Sequence, residues 1–169
     1  TLSPSTVNRS LRVTDAATAG LEEIKTLLAS NPILAVPNVG QVMLLYISAT
    51  HQVVSAVLVV EREEDGHKFP LQKTVYYVST VLTTWKSRYP HYQKISYAVF
   101  MASRKLRHYF QECSITVASA VPLNDIINNR DATGRIAKWS IELLPFNITY
   151  KPCRAIKSQE LADFVAEWT

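Results

Sequence analysis

Three apolar runs between residues 42 and 80 constrain this chain most. VMLLYISA, VVSAVLVVE and KTVYYVST are dense in Val, Ile, Thr and Tyr, residues that suit a pleated, half-buried surface. They predict three antiparallel strands. The second and third are joined by EREEDGHKFPLQ, a charged turn with Asp65-Gly66 at its tip. The acids Glu61, Glu63, Glu64 and Asp65 crowd that turn, and such a cluster reads as a solvated loop rather than a metal site.

After the strands, Tyr89-Pro90 opens the longest predicted helix, to about Phe110. Ile95, Val99, Ala102, Leu106 and Tyr109 recur at three- to four-residue spacing and supply its core face. Arg104, Lys105, Arg107 and His108 crowd its last turns, where positive charge complements the helix dipole. These four are the candidate nucleic-acid contacts, although a solvated, dipole-matched helix end is the plainer reading of the same group. SITVAS (114–119) reads as a fourth strand, and Pro122 starts a short helix through Ile127. GRIAKWSIELL (134–144) is amphipathic, with Ile136, Trp139 and Leu143 on one face. FNITYK (146–151) alternates as a fifth strand, and Ser158 caps a last helix through Glu167.

Upstream, residues 1–13 read as a flexible leader. Residues 14–41 hold a helix from Asp15 to about Ser30, striped by Leu21, Ile24, Leu27 and Leu28. Asn31-Pro32 ends it, and an extended connector follows, marked by Pro37 and Gly40. Residues 42–169 form the main domain. The order β-β-β-α-β-α-α-β-α predicts an α/β fold, a mixed five-stranded sheet flanked by helices.

Composition narrows the function classes. A chain of 169 residues that is 47% hydrophobic buries one substantial core. Its 18 Lys+Arg against 14 Asp+Glu give a net charge of +4, which is compatible with a phosphate backbone without requiring one. Cys113 and Cys153 lack C-x-x-C spacing and read as reduced thiols of an intracellular protein, with no zinc site. No apolar run approaches the ~20 residues of a membrane span, so no membrane partner is expected. No Ser-His-Asp set or Gly-rich phosphate loop occurs, and His51, His67, His91 and His108 are scattered among polar neighbours. Tyr76, Tyr77, Tyr89, Tyr92 and Tyr97 are of the type that stacks on bases, but their spacing reads mostly as core.

Five segments carry a resemblance: LLYISATHQVVSAVLVVE (44–61), KTVYYVST (73–80), SRYPHYQKISYAVFMASRKLRHYF (87–110), SITVASAVPLNDII (114–127) and IKSQELADFVAEWT (156–169). Together they resemble the RNase H region that follows the reverse transcriptase in plant gypsy-type LTR retrotransposons. The likeness is greatest to Tat-like elements, where the stretch ending here at 161–169 is followed by a second RNase H. In that family the first strand reads roughly T-D-A-S, the long helix begins Y-P-x-x-E, the fourth strand ends T-D and the last helix carries A-D-A. The matching positions here are Ser48, Gln93, Ala120 and Asp163. Ser55-Ala56-Val57-Leu58 anchors Ser48, Tyr89-Pro90 anchors Gln93, Val117 through Leu123 anchors Ala120, and the A-D of LADF anchors Asp163.

RNase H chemistry is two-metal phosphodiester hydrolysis, with magnesium ions ~4 Å apart held by carboxylates. Three of the four matching positions lack one: Ser48 offers a neutral hydroxyl, Gln93 an amide, Ala120 nothing. Asp125 and Glu142 do not face the first strand in this layout. Each position also has an ordinary reading: a strand-end hydroxyl, a first-turn surface residue, and for Asp163 a first-turn charge. The resemblance thus implies a non-catalytic RNase H-like domain with no cofactor, magnesium mattering only for residual nuclease activity. By analogy with the connection domain of vertebrate retroviral reverse transcriptases, its partners would be an RNA–DNA hybrid and the flanking polymerase and RNase H modules. It would act in the cytoplasm or nucleus, the helix before the connector lying at the thumb junction. Two rivals stay open: an active ribonuclease H with a shifted acid set, and a host-adopted docking module for a protein partner.

Overall fold

A computed structural model describes residues 34–152. The chain divides into units of residues 1–33 and 34–169, and the described residues belong to the second. The leader, the helix from Asp15, Cys153, the last helix and Asp163 lie outside them.

The three apolar runs form strands β1 (Met43–Ala49), β2 (Val53–Arg62) and β3 (Leu71–Val81), paired antiparallel. Thr50 closes the first hairpin: its N–H donates to the Val53 carbonyl at 2.8 Å, and its hydroxyl accepts from the Val53 N–H at 3.1 Å. The second hairpin turns at Asp65-Gly66, where Gly66 has φ +88°, a conformation side chains resist. β3 begins two residues earlier than the pattern predicts, and its register against β2 slips between Leu58 and Val59. Such a bulge re-aims one residue; Val75, at this point, is 1% exposed.

Helices α1 (Thr84–Ser87), α2 (His91–Lys105) and α3 (Arg107–Glu112) follow. α1 is unpredicted. The long helix ends five residues before Phe110, because Leu106 leaves helical geometry at φ −112°, ψ 34°. α2 is also more than amphipathic: all ten residues from Lys94 to Ser103 are buried. The sheet covers one side of it, and helix α5 (Gly134–Leu143) covers another through Trp139, whose ring lies 5.6 Å from Tyr97 and 5.9 Å from Phe100. The hydroxyls of Ser96 and Ser103 donate to helix carbonyls at 2.8 and 2.7 Å, so their burial leaves no unmet donor.

Strand β4 (Ile115–Ser119) is buried throughout, helix α4 (Leu123–Ile127) follows it, and β5 (Ile148–Pro152) closes the sheet. The strand order is β3-β2-β1-β4-β5, with β4 parallel to both β1 and β5. β5 starts two residues later than predicted, leaving Phe146 to pack edge-on against Phe110 at 5.7 Å. The described part of the connector is fastened to the sheet: Ala35 donates to Thr74 at 3.0 Å, Gln41 to the Glu61 carbonyl at 3.1 Å, and Arg62 reaches the Val36 carbonyl. The tyrosines divide. Tyr97 is core, whereas Tyr76, Tyr77 and Tyr92 are exposed. Among the described residues no helix is long and apolar enough to cross a membrane.

Candidate functional site

β1 and β4 run side by side, with Met43 beside Ile115 and Tyr46 beside Ala118. The pairing ends there: Ser48 lies two residues further along β1, and Ala120 lies just past the end of β4. Met43, Leu45 and Ile47 belong to the helix-covered core, whereas Leu44 and Tyr46 belong to a separate cluster on the opposite face. Alternation along the strand assigns Ser48 to that second face. Ser48 is half-buried, and Ala120, just past β4, is exposed.

Gln93 is half-buried in the first turn of α2. The next residue fixes where that turn sits. Lys94 is 7% exposed, and its ammonium donates to the carbonyls of Thr50 at 3.3 Å and His51 at 2.9 Å, in the turn that follows β1. This clamp holds the start of α2 at the end of the sheet where β1 finishes, which is the end bearing Ser48 and Ala120. Lys94 is absent from the sequence-derived candidates. Its only signal is a cation lying directly before the core position Ile95.

Across the next strand pair, Ala118 stands beside Lys151, so Tyr46, Ala118 and Lys151 form one row on the face of Ser48. A pocket of about 270 Å³ opens at this end, lined in part by Ala120, Pro122, Tyr150 and Lys151. Burial pushes the Tyr150 phenol up to about 12, so it stays a neutral donor through the physiological range. Among the described residues, Ser48, Gln93, Ala120, Tyr150 and Lys151 offer none of the anionic oxygen ligands that magnesium favours. Among the described residues no group of three or more His, Cys, Asp or Glu could hold a metal. In the acidic turn, Glu64 pairs with Lys73, whose hydrogen bond holds the carboxyl below its usual range. Burial pushes the Cys113 thiol up, away from the reactive thiolate.

The break at Leu106 divides the four basic residues predicted to act together. Arg104 forks onto the Glu142 carboxylate at 2.9–3.3 Å. Lys105 turns back and donates to the Ser79 carbonyl at 2.9 Å, on the edge strand β3. His108 lies with its ring 3.9 Å from that of Tyr109, beside a pocket lined by the connector. Arg107 lines a different cavity with Arg104, Gln111 and Phe146. Of the four, Arg104 and Arg107 share a cavity, and three cations that sequence does not connect with them, Lys86, Arg135 and Lys138, line an adjoining pocket with Arg104.

The mixed sheet with this order and these crossovers is the RNase H-like fold. It superposes on the protease–reverse transcriptase of prototype foamy virus, with a TM-score of 0.58 and 12% identity over 90% of this chain and 20% of that one. A foamy viral protease–reverse transcriptase in complex with double-stranded DNA gives 0.54 and 18%, over 85% of this chain and 25% of that one. The foamy viral enzyme in complex with an RNA/DNA hybrid gives 0.50 and 20%, over 86% and 20%. At these identities the likeness is one of fold, and the chain spans a quarter or less of each viral chain. No curated protein matches the chain. The family of RNase H-like domains found in reverse transcriptase matches residues 13–117, taking in β1, the long helix and most of β4. The strands and helix that carry Ser48 and Gln93 are thus family elements, and this chain belongs to the RNase H-like domains of reverse transcriptases.

Proposed function

We propose that the chain is a non-catalytic RNase H-like domain of a plant gypsy-type, Tat-like retrotransposon reverse transcriptase, which holds an RNA–DNA hybrid between the polymerase and an active RNase H. One observation carries the reading. Ser48 and Ala120 each lie two residues past the last β1–β4 pair, Tyr46 and Ala118, and the cation Lys151, paired with Ala118, stands on the face to which strand alternation assigns Ser48. An ammonium and neutral donors suit a backbone phosphate directly, with no bridging metal. A hybrid held this way is recognised by charge and A-form shape, so its affinity falls steeply with salt. The foamy viral protease–reverse transcriptase complex with an RNA/DNA hybrid supports the choice of ligand. The site of action is the cytoplasm or the nucleus.

The test is binding of a fluorescent RNA–DNA hybrid to the purified chain at low and physiological salt. Magnesium or manganese is present, and the label is checked for cutting in the same tube. Salt-sensitive binding without cleavage is expected, and Lys151→Glu weakens it several-fold. Cleavage would identify an active ribonuclease H with a different acid set. Absence of both would favour a host-adopted docking module, for which Val36, Val39 and Phe69, all more than 70% exposed, offer apolar contact.

A further inference from the structure

A groove runs between α2 and α5, on the side of the sheet opposite Ser48. One end is a pocket of about 270 Å³ over Tyr89, Tyr97, Phe100 and Trp139, and the other a cavity of about 550 Å³ reaching Arg107. Arg104 and Glu142 line both, so the two cavities adjoin at that ion pair. Lys86, Arg104, Arg107, Arg135 and Lys138 line them, against the single carboxylate of Glu142. Glu142 is engaged by Arg104, and Arg107 and Lys138 have no acidic partner among the described residues.

The aromatic floor preorganises these cations. Lys86 lies 4.5 Å from the Tyr97 ring centre and donates to its hydroxyl at 2.9 Å. Arg104 lies 4.6 Å over Phe100, and Arg135 4.8 Å over Tyr89. A cation resting on a ring face keeps outward N–H groups free and has less rotamer freedom to lose when a ligand arrives. Trp139 is buried, so the floor supports the cations rather than stacking on bases.

We infer that this groove takes the sugar–phosphate backbone of a single nucleic-acid strand flanking the hybrid. A groove with cations along both walls matches a ligand charged at every residue better than a protein segment charged intermittently. It also lies across the sheet from Ser48 and Lys151, so a rigid duplex seated there does not reach it, whereas a flexible single-stranded extension does. The inference rests on the hybrid-holding reading only for the ligand it extends.

The experiment compares a blunt RNA–DNA hybrid with the same hybrid carrying a single-stranded DNA extension, each titrated with the full chain at low salt. The extension is expected to tighten binding about tenfold, and Lys138→Glu and Arg135→Glu to abolish that gain while leaving blunt-hybrid affinity unchanged. The salt slope for the extended probe falls by about one per lost phosphate contact. Lys68→Glu, an equal charge change on the β2–β3 turn, leaves the gain intact, and thermal unfolding of each variant verifies folding. No gain from the extension, or a gain that survives both groove substitutions, overturns the inference while the hybrid reading stands. A Lys138-dependent response to the extension with no blunt-hybrid binding supports the groove and removes the hybrid reading.

Discussion

A lysine with 7% of its surface exposed exchanges hydration for something, and Lys94 exchanges it for the carbonyls of Thr50 and His51. Those two bonds join the first turn of α2 to the turn after β1, elements 43 residues apart in sequence. Lys94→Met would keep the aliphatic length and remove the donor, leaving both carbonyls with no protein partner. A loss of about 1–3 kcal/mol is expected by urea unfolding, with the β1–β2 turn losing amide protection first. Tyr150 supplies a second test at this scale. Its phenol is held up to about 12 by burial, against about 10 for a free tyrosine. The folded state therefore keeps its proton where the unfolded chain has released it. Stability from this group is complete below pH 10 and drains away as the pH rises from about 10 to 12, by up to about 2 kcal/mol. Tyr150→Phe should flatten that alkaline loss, as read by denaturant midpoints across the range.

At the scale of elements, the strands were legible because β-branched residues and turn chemistry coincide: Val53–Val60 is apolar or small throughout, and Asp65-Gly66 marks the hairpin. The end of the long helix was not. Its break falls at Leu106 with no Gly or Pro nearby, so local propensity carries no sign of it, and tertiary packing decides. The consequence for function is large, since residues 104–108 were expected on one helix end and instead serve three surfaces. Lys105, a candidate nucleic-acid contact by sequence, covers a carbonyl of the edge strand β3, a known way of protecting an exposed edge. The α2–α5 packing was half legible: Trp139 and Leu143 share a face by spacing, but the spacing is silent about their meeting Tyr97 and Phe100. Trp139→Ala should cost about 3–5 kcal/mol, because a large cavity opens beside Tyr89, Tyr97 and Phe100. Urea unfolding measures it.

For the molecule as a whole, motif spacing indexes candidate positions even where the motif chemistry is absent. Ser55-Ala56-Val57-Leu58 and Tyr89-Pro90 index Ser48 and Gln93, and Ser48 and Ala120 each follow the last β1–β4 pair, Tyr46 and Ala118, by two residues. What spacing could not convey was the neighbourhood: Lys94 after Gln93 clamped to the β1–β2 turn, Lys151 in β5, and basic cavities lined from four helices. The fold itself supplies the test of convergence. If Ser48, Gln93 and Ala120 meet at one end of the sheet, then Ser48→Asp, Gln93→Glu and Ala120→Asp together rebuild a carboxylate cluster there. Without metal, three like charges brought close should destabilise the chain relative to its parent. Magnesium should restore part of that loss, by about 1.4 kcal/mol once its concentration reaches tenfold above its dissociation constant. The parent chain should show no comparable response. Thermal unfolding in EDTA and in magnesium reads the difference directly. A triple variant indifferent to magnesium would mean that the three side chains do not converge, and the residue assignments behind the non-catalytic reading would fall with it.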